Sequence, residues 1–132
     1  MKKIIALFVI LSQFALASIL SDTDKKFIWI NKEVLIDTAS IDSMLTFVRK
    51  NNFNKLLIQV RSRGDALYES LIVPRYEGID SLFDPLQYIL ENTMQDSIEI
   101  HAWLNTYILW SSKDPPKDKD HFYYLCPECF AT

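Results

Sequence analysis

Glycine and cysteine are scarce in this chain of 132 residues, with two of each. Gly-rich loops that hold dinucleotides or nucleoside phosphates need several glycines at fixed spacing, which Gly64 and Gly78 alone do not supply. The chain also lacks a run of basic residues, and its net charge is −3, so the electrostatic surface typical of nucleic-acid binders is missing. We therefore expect no cofactor and no nucleic-acid partner.

The two cysteines, Cys126 and Cys129, are spaced C-x-x-C. A structural zinc site needs four ligands, and only His121 lies nearby in the sequence, so we predict no metal site. A thioredoxin-like site has a helix after the two cysteines, whereas only three residues follow Cys129. Two interpretations remain: a pair of thiols without a shared role, or a local disulfide formed in an oxidising compartment.

Long apolar runs are absent after the first residues of the chain. Lys2 and Lys3 precede an apolar stretch, residues 4–16, that is shorter than the roughly 20 residues that span a bilayer. Ala15-Leu16-Ala17 has the small residues that signal peptidase requires. We predict that residues 1–17 are a cleavable signal peptide and that the mature protein is periplasmic or extracellular, with no stable membrane span. An uncleaved anchor is the alternative.

The mature part, residues 18–132, is predicted to alternate strands with helices. Short β-branched or aromatic runs predict strands at 27–30, 55–60 and 98–103. A first helix is predicted at 40–51, because its apolar residues recur with helical spacing. Those residues are Ile41, Met44, Leu45 and Val48. Strands separated by helices predict a parallel sheet with right-handed crossovers.

The second helix has a clear start signal. Asp84 can cap it, Pro85 suits its first position, and Gln87 lies where its side chain can bond back to the cap. Its predicted buried face consists of Leu86, Ile89, Leu90 and Thr93. Residues 113–120, charged and interrupted by proline, are predicted to form a loop.

The alternation within the strands distinguishes between two parallel architectures. In the second strand Leu56, Ile58 and Val60 share one face, while Leu57, Gln59 and Arg61 lie on the other. The third strand likewise separates Ile98, Ile100 and Ala102 from Glu99, His101, Trp103 and Asn105. Doubly wound sheets are buried on both faces, whereas barrel strands present aliphatic residues to the helices and polar groups to the lumen. The pattern favours the N-terminal part, about three βα units, of a TIM (β/α)8 barrel.

Barrel active sites lie at the carboxyl ends of the strands. Here those ends carry Arg61, Arg63, Asp65, His101, Trp103 and Asn105. Charged and amide groups can bond sugar hydroxyls, and a tryptophan can stack on a pyranose ring, so these six residues are the predicted carbohydrate-binding set. Two alternatives stay open: a structural salt-bridge cluster for the residues 61–65, and a hydrogen-bonding lumen residue for His101.

Several ordered segments resemble the glycosyl hydrolase-like 10 family. They are Phe53-Asn54, residues 59–70 (Gln-Val-Arg-Ser-Arg-Gly-Asp-Ala-Leu-Tyr-Glu-Ser), Pro74, Phe83-Asp84-Pro85-Leu86 and residues 100–105 (Ile-His-Ala-Trp-Leu-Asn). The resemblance covers residues 27–110. It implies an exported bacterial (β/α)-barrel in which residues 61–65, His101, Trp103 and Asn105 line a sugar cleft.

The chain also departs from that family. A full barrel takes roughly 250 residues, and glycosidases use two carboxylates, of which only Asp65 can be placed near the barrel mouth. The resemblance leads us to expect Pro-Glu-Trp at Pro127-Glu128, where Cys129 follows instead. We therefore expect an N-terminal fragment that lacks the catalytic carboxylates, and we assign no catalytic residue.

The function predicted from the sequence is hydrolysis of O-glycosyl bonds in an envelope or extracellular polysaccharide. One alternative is a carbohydrate-binding module or pseudoenzyme that uses the same cleft without hydrolysis. The other is a small exported α/β interaction domain with no sugar site. The glycan, the stereochemistry and the oligomeric state are not predicted.

Overall fold

A computed structural model describes residues 25–129 of the chain. The predicted signal peptide, residues 1–17, lies outside the described residues and stays a prediction. Within residues 25–129, no helix has both the length and the apolar character needed to cross a bilayer.

Three parallel strands form one sheet in the order β1-β2-β3. Their bounds are β1 Phe27–Ile30, β2 Lys55–Arg61 and β3 Glu99–Leu104. Helix α1, Thr38–Lys50, connects β1 to β2, and α2, Pro85–Thr93, lies between β2 and β3. A short α3, Phe122–Leu125, follows, and 3-10 turns occupy Lys32–Val34 and Pro127–Cys129. The predicted mixed α/β class, element order and parallel pairing are confirmed, while closure into a barrel stays a prediction.

The two long helices begin where an aspartate satisfies their free backbone N–H groups. Helix α1 starts two residues before the predicted position because Asp37 accepts a hydrogen bond from Ser40 N at 2.7 Å. In α2, Asp84 accepts from Gln87 N at 2.9 Å, and Pro85 occupies the first turn. The expected back-bond from the Gln87 side chain does not form, because its Nε2 donates to Glu91 Oε1 instead.

The core lies between the sheet and the helices. It combines the aliphatic face of each strand with the buried stripes of α1 and α2. Its fully buried members include Leu35, Ile41, Leu45, Val48, Leu56, Ile58, Leu67 and Ile89. The predicted parity is confirmed for Leu56, Ile58, Val60, Ile98 and Ile100, whereas Ala102, predicted on the same face, is exposed. The predicted face of α2 also differs: Leu90 is 43% exposed, because it falls on the solvent side of the stripe that Ile89 and Thr93 bury.

The strand register changes near the carboxyl end of the sheet. Gln59 pairs with Trp103, but Arg61 pairs with Leu104, so β2 carries one more residue than β3 over this step. The additional residue, Val60, stays in the core, and its carbonyl accepts a hydrogen bond from Leu67 N at 2.9 Å. An extra residue of this kind bends a strand locally and redirects the side chains beyond it.

Candidate carbohydrate-binding site at the carboxyl edge of the sheet

The carboxyl ends of β2 and β3 meet the long connection between β2 and α2. Residues 62–84 fold back on themselves because Ala66 and Arg75 form a parallel bridge. Ala66 N donates to Pro74 O at 2.9 Å, and Tyr76 N donates to Ala66 O at 2.8 Å. This ladder brings Tyr76 beside the residues that follow β2.

Two hydrogen bonds from Asn105 join the ends of β2 and β3, and two more order the side chains within those ends. Asn105 N donates to Arg61 O at 2.9 Å, and the Asn105 side-chain amide donates to Ser62 O at 3.1 Å. Trp103 Nε1 donates to Asn105 Oδ1 at 3.0 Å, so the indole and the carboxamide orient each other. Arg61 Nε donates to Arg63 O at 3.0 Å. Trp103 and Asn105 are half-buried, so each keeps surface that a ligand can reach.

Arg63 and Asp65 form a buried ion pair just beyond β2. Arg63 Nη2 lies 3.0 Å from Asp65 Oδ2, and the two side chains are 13% and 3% exposed. The guanidinium carbon lies 3.8 Å from the centroid of the Trp110 ring and 5.7 Å from that of Tyr76. A cation stacked on an aromatic face and held by a carboxylate has little freedom to rotate. Asp65 is thus engaged with Arg63 rather than presented to solvent.

His121, which the sequence interpretation considered only as a metal ligand, belongs to the same cluster. It is 1% exposed, and its ring packs edge-on against Trp110 with the centroids 5.0 Å apart. It also begins α3, because its Nδ1 accepts from Tyr123 N at 3.0 Å. A Cβ on Gly64 would lie 2.8 Å from His121 Nε2, so only glycine allows this approach.

The surroundings of His121 favour the neutral imidazole. Burial lowers the pKa of His121 below its ordinary value of 6.5, and the positive charge of Arg63 adds to this effect. The carboxylate of Asp65 acts in the opposite direction and is outweighed. The site is therefore built around an uncharged histidine beside an ion pair.

His101 lies apart from the other predicted site residues. It pairs in register with Leu57 in the middle of the sheet, and its Nε2 lies 3.4 Å from Glu99 Oε2. Lys55 Nζ is 2.6 Å from the same oxygen, and this hydrogen bond lowers the pKa of Glu99. The ionic partner of His101 thus lies at the amino end of β3. The other predicted residues lie at the carboxyl edge of the sheet: Arg61, Arg63, Asp65, Trp103 and Asn105.

Sequence reasoning missed three members of the cluster, namely Tyr76, Trp110 and His121. All three lie in segments without helical or strand periodicity, so no pattern connects them to β2. One local signal was available: a histidine before Phe122-Tyr123-Tyr124 can cap a short helix with its ring nitrogen.

Cys126 and Cys129 form a disulfide across the second 3-10 turn, with their Cα atoms 5.3 Å apart. The disulfide interpretation is therefore confirmed over the pair of free thiols. In residues 25–129, one group of three or more side chains brings potential metal donors together: these two cysteines and Glu128. Because both sulfurs are bonded to each other, the group offers no thiolate to a metal.

These observations define a mixed α/β protein whose parallel sheet has a polar and aromatic cluster at its carboxyl edge, the edge where such proteins bind ligands. The chain is 31% identical to the glycosyl hydrolase YngK of Bacillus subtilis (strain 168) over 122 residues, covering 79% of this chain and 24% of that protein. It is 32% identical to the glycosyl hydrolase DigH of Escherichia coli (strain K12) over 75 residues, covering 52% of this chain and 17% of DigH.

DigH of Shigella flexneri matches with the same figures. No protein-family model matches the chain. The chain spans about a quarter of the length of YngK and 17% of that of DigH. Both matches relate the chain to proteins named glycosyl hydrolase, and the longer match covers 79% of the chain.

Proposed function

We propose that this chain belongs to an exported glycoside hydrolase-like protein and that its carboxyl edge binds an envelope or extracellular polysaccharide. Two observations together support the proposal. The chain is related to two proteins named glycosyl hydrolase. The Trp103 indole, the Asn105 carboxamide and the stacked Arg63 guanidinium lie at the edge where parallel α/β proteins bind ligands. The side chains proposed to contact sugar are Arg61, Arg63, Trp103 and Asn105, with His101 farther along the face.

We further propose that the three strands are part of a (β/α)8 barrel. The two faces of the sheet differ as barrel strands require: Leu56, Ile58 and Val60 pack against helices, whereas Trp29 is 62% exposed on the other side. The proposed lumen therefore begins at the face that carries Trp29 and Trp103.

Hydrolysis of an O-glycosyl bond uses two carboxylates, one as acid and one as base or nucleophile. Asp65, the candidate from the sequence, is buried and paired with Arg63, so we assign it to holding the guanidinium rather than to bond cleavage. This burial favours a second candidate function for the chain itself, which is carbohydrate binding without hydrolysis.

The binding test incubates the full chain with insoluble polysaccharides, including purified peptidoglycan, and measures the fraction that sediments with the solid. Replacing Trp103 by alanine should weaken binding about tenfold, the equivalent of about 1.4 kcal/mol. Phe47→Ala is the matched control, because Phe47 is an exposed aromatic residue stacked on Phe53 near the amino end of β2. Equal binding by both variants, or no binding by the parent chain, would contradict the proposal.

Hydrolysis is tested on the same samples by measuring newly released reducing ends. Binding without release supports the second candidate, and binding with release supports the first. Export is tested separately by mass spectrometry of the protein from its native host, where the proposed signal peptide predicts an N-terminus at Ser18. A membrane-bound form that retains residues 1–17 would contradict cleavage.

A further inference from the structure

Four buried polar atoms of this cluster have no hydrogen-bond partner among the described residues, namely Ser62 Oγ, Arg63 Nε, Asp65 Oδ1 and His121 Nε2. Two of them, Asp65 Oδ1 and His121 Nε2, belong to residues that adjoin Gly64, one in the chain and one in space. A buried polar atom without a partner is destabilising, so these two atoms call for a common explanation. One is an acceptor, and the other is a donor if the imidazole proton lies on Nε2.

The position of that proton follows from the other ring nitrogen. His121 Nδ1 accepts a hydrogen bond from Tyr123 N at 3.0 Å, so Nδ1 carries no proton. In a neutral imidazole the proton then lies on Nε2. His121 therefore points a buried N–H donor toward the turn that contains Asp65.

Gly64 lies against the imidazole and next to Asp65 in the chain. Its missing Cβ would lie 2.8 Å from His121 Nε2, and Gly64 directly precedes Asp65. Gly64 N also donates to Leu109 O at 2.9 Å, which holds the segment after β3 against the turn after β2. The unpaired donor and the unpaired acceptor thus adjoin the same glycine, where a direct hydrogen bond or a bridging water would satisfy both.

We propose that His121 is a positioning residue: its Nε2–H bonds the Asp65 carboxylate, which in turn fixes the Arg63 guanidinium against Trp110 for carbohydrate binding. The effect on carbohydrate binding rests on the proposed function. The hydrogen bond between His121 and Asp65 does not depend on it. The contacts close a ring, since Arg63 lies on Trp110 and Trp110 packs against His121.

The arrangement makes the proposed site sensitive to acid. Protonation puts a proton on Nδ1, which removes the acceptor for Tyr123 N–H and places a cation beside two arginines. The charged groups that act on the imidazole are Arg61 and Arg63, which disfavour protonation, and Asp65 and Asp118, which favour it. Carbohydrate binding should therefore be constant near neutral pH and weaken as His121 becomes protonated.

The first measurement determines the tautomer and the pKa of the His121 imidazole directly in the full chain. Long-range ¹H–¹⁵N correlation spectra should show the Nε2-protonated tautomer at pH 7.5. In Asp65→Asn the pKa of His121 should fall further, because the carboxylate that raises it is gone. An Nδ1-protonated tautomer, or a His121 pKa that does not respond to Asp65→Asn, would overturn the proposal even if the chain binds no carbohydrate.

The second arm measures polysaccharide binding between pH 5 and 7.5. His121→Gln retains an N–H donor but cannot titrate, so it should bind within about threefold of the parent chain at pH 7.5 and lose the weakening in acid. His121→Phe keeps the ring packing without the donor and should bind about tenfold more weakly. His101→Gln should retain the weakening in acid. If it abolishes the weakening instead, or if His121→Phe binds as the parent does, the positioning role is wrong.

Discussion

Replacing Gly64 by alanine is the sharpest test of how the carboxyl edge is packed. The new Cβ would lie 2.6 Å from His121 Cε1 and 3.2 Å from Leu109 O, and real Cβ contacts essentially never fall below 3.0 Å. The imidazole cannot move aside freely, because it is 1% exposed and packed on Trp110. Alanine at position 64 therefore requires His121 to shift and its bond from Tyr123 N to stretch or break.

The magnitude follows from two opposing terms. Overpacking of a tight site costs about 1–3 kcal/mol. Gly64 does not have a positive φ, so alanine also restricts the unfolded chain without backbone strain, which stabilises by about 0.4–1 kcal/mol. We expect a net loss of about 1–2 kcal/mol in the free energy of unfolding. With a slope of about 1–1.5 kcal/mol per molar urea for a chain of this size, the midpoint should fall by about 1 M.

A double-mutant cycle identifies the clash. In a His121→Ala background the two closest opposing atoms are gone and the 3.2 Å contact with Leu109 O remains, so Gly64→Ala should be close to neutral there. The expected coupling between the two positions is about 2 kcal/mol, measured by urea unfolding of the four proteins followed by circular dichroism. The packing argument is refuted if Gly64→Ala costs the same in both backgrounds.

Three further results are expected from the structure. Ile58→Ala, in the centre of the core, should cost about 2–5 kcal/mol in urea unfolding, whereas Ile58→Val should cost about 0.5–1.5 kcal/mol, and equal costs would place Ile58 outside a tightly packed core. Asp37→Ala should destabilise the chain by about 1 kcal/mol, and Asp84→Ala should destabilise it more, because Asp84 also accepts a hydrogen bond from Glu69 N at 2.8 Å. A larger loss for Asp37→Ala would contradict this contact. The pKa of His121 is lower in the folded chain than in the unfolded chain, so the unfolded chain binds more protons in acid. The free energy of unfolding should therefore be at its maximum above about pH 6.5 and decrease toward pH 5. His121→Gln should flatten that slope.

The elements that the sequence predicts are those determined by short-range rules. Strand alternation places Leu56, Ile58 and Val60 in the core, apolar periodicity places the start of α1 within two residues, and Asp84-Pro85 marks the start of α2. The face of α2 was predicted less well, because Leu90 lies at the margin of the stripe, where only the position of the neighbouring elements decides burial.

The candidate site could be predicted only in part for a related reason. Trp103 is one of the last two residues of β3, and Arg63, Asp65 and Asn105 follow strand ends, so parallel topology alone brings these four residues to one edge. His121 reaches that edge through residues 105–120, a segment with no periodic pattern whose path depends on contacts such as Gly64 N to Leu109 O. His101 shares the face of Trp103 but pairs with Leu57 in the middle of the sheet, because alternation assigns a face of a strand and not the distance from its carboxyl end.

The register change in β2 links the core to the site. Val60 continues the aliphatic face of β2, yet it has no partner in β3, and its carbonyl bonds Leu67 N instead. That bond closes the turn that carries Asp65, while Arg61 O is left to accept from Asn105 N. In an uninterrupted ladder the side chains beyond Gln59 would keep strict alternation with β3. The extra residue therefore lets one strand supply both a continuous buried face and a turn in which a buried ion pair is held against aromatic rings.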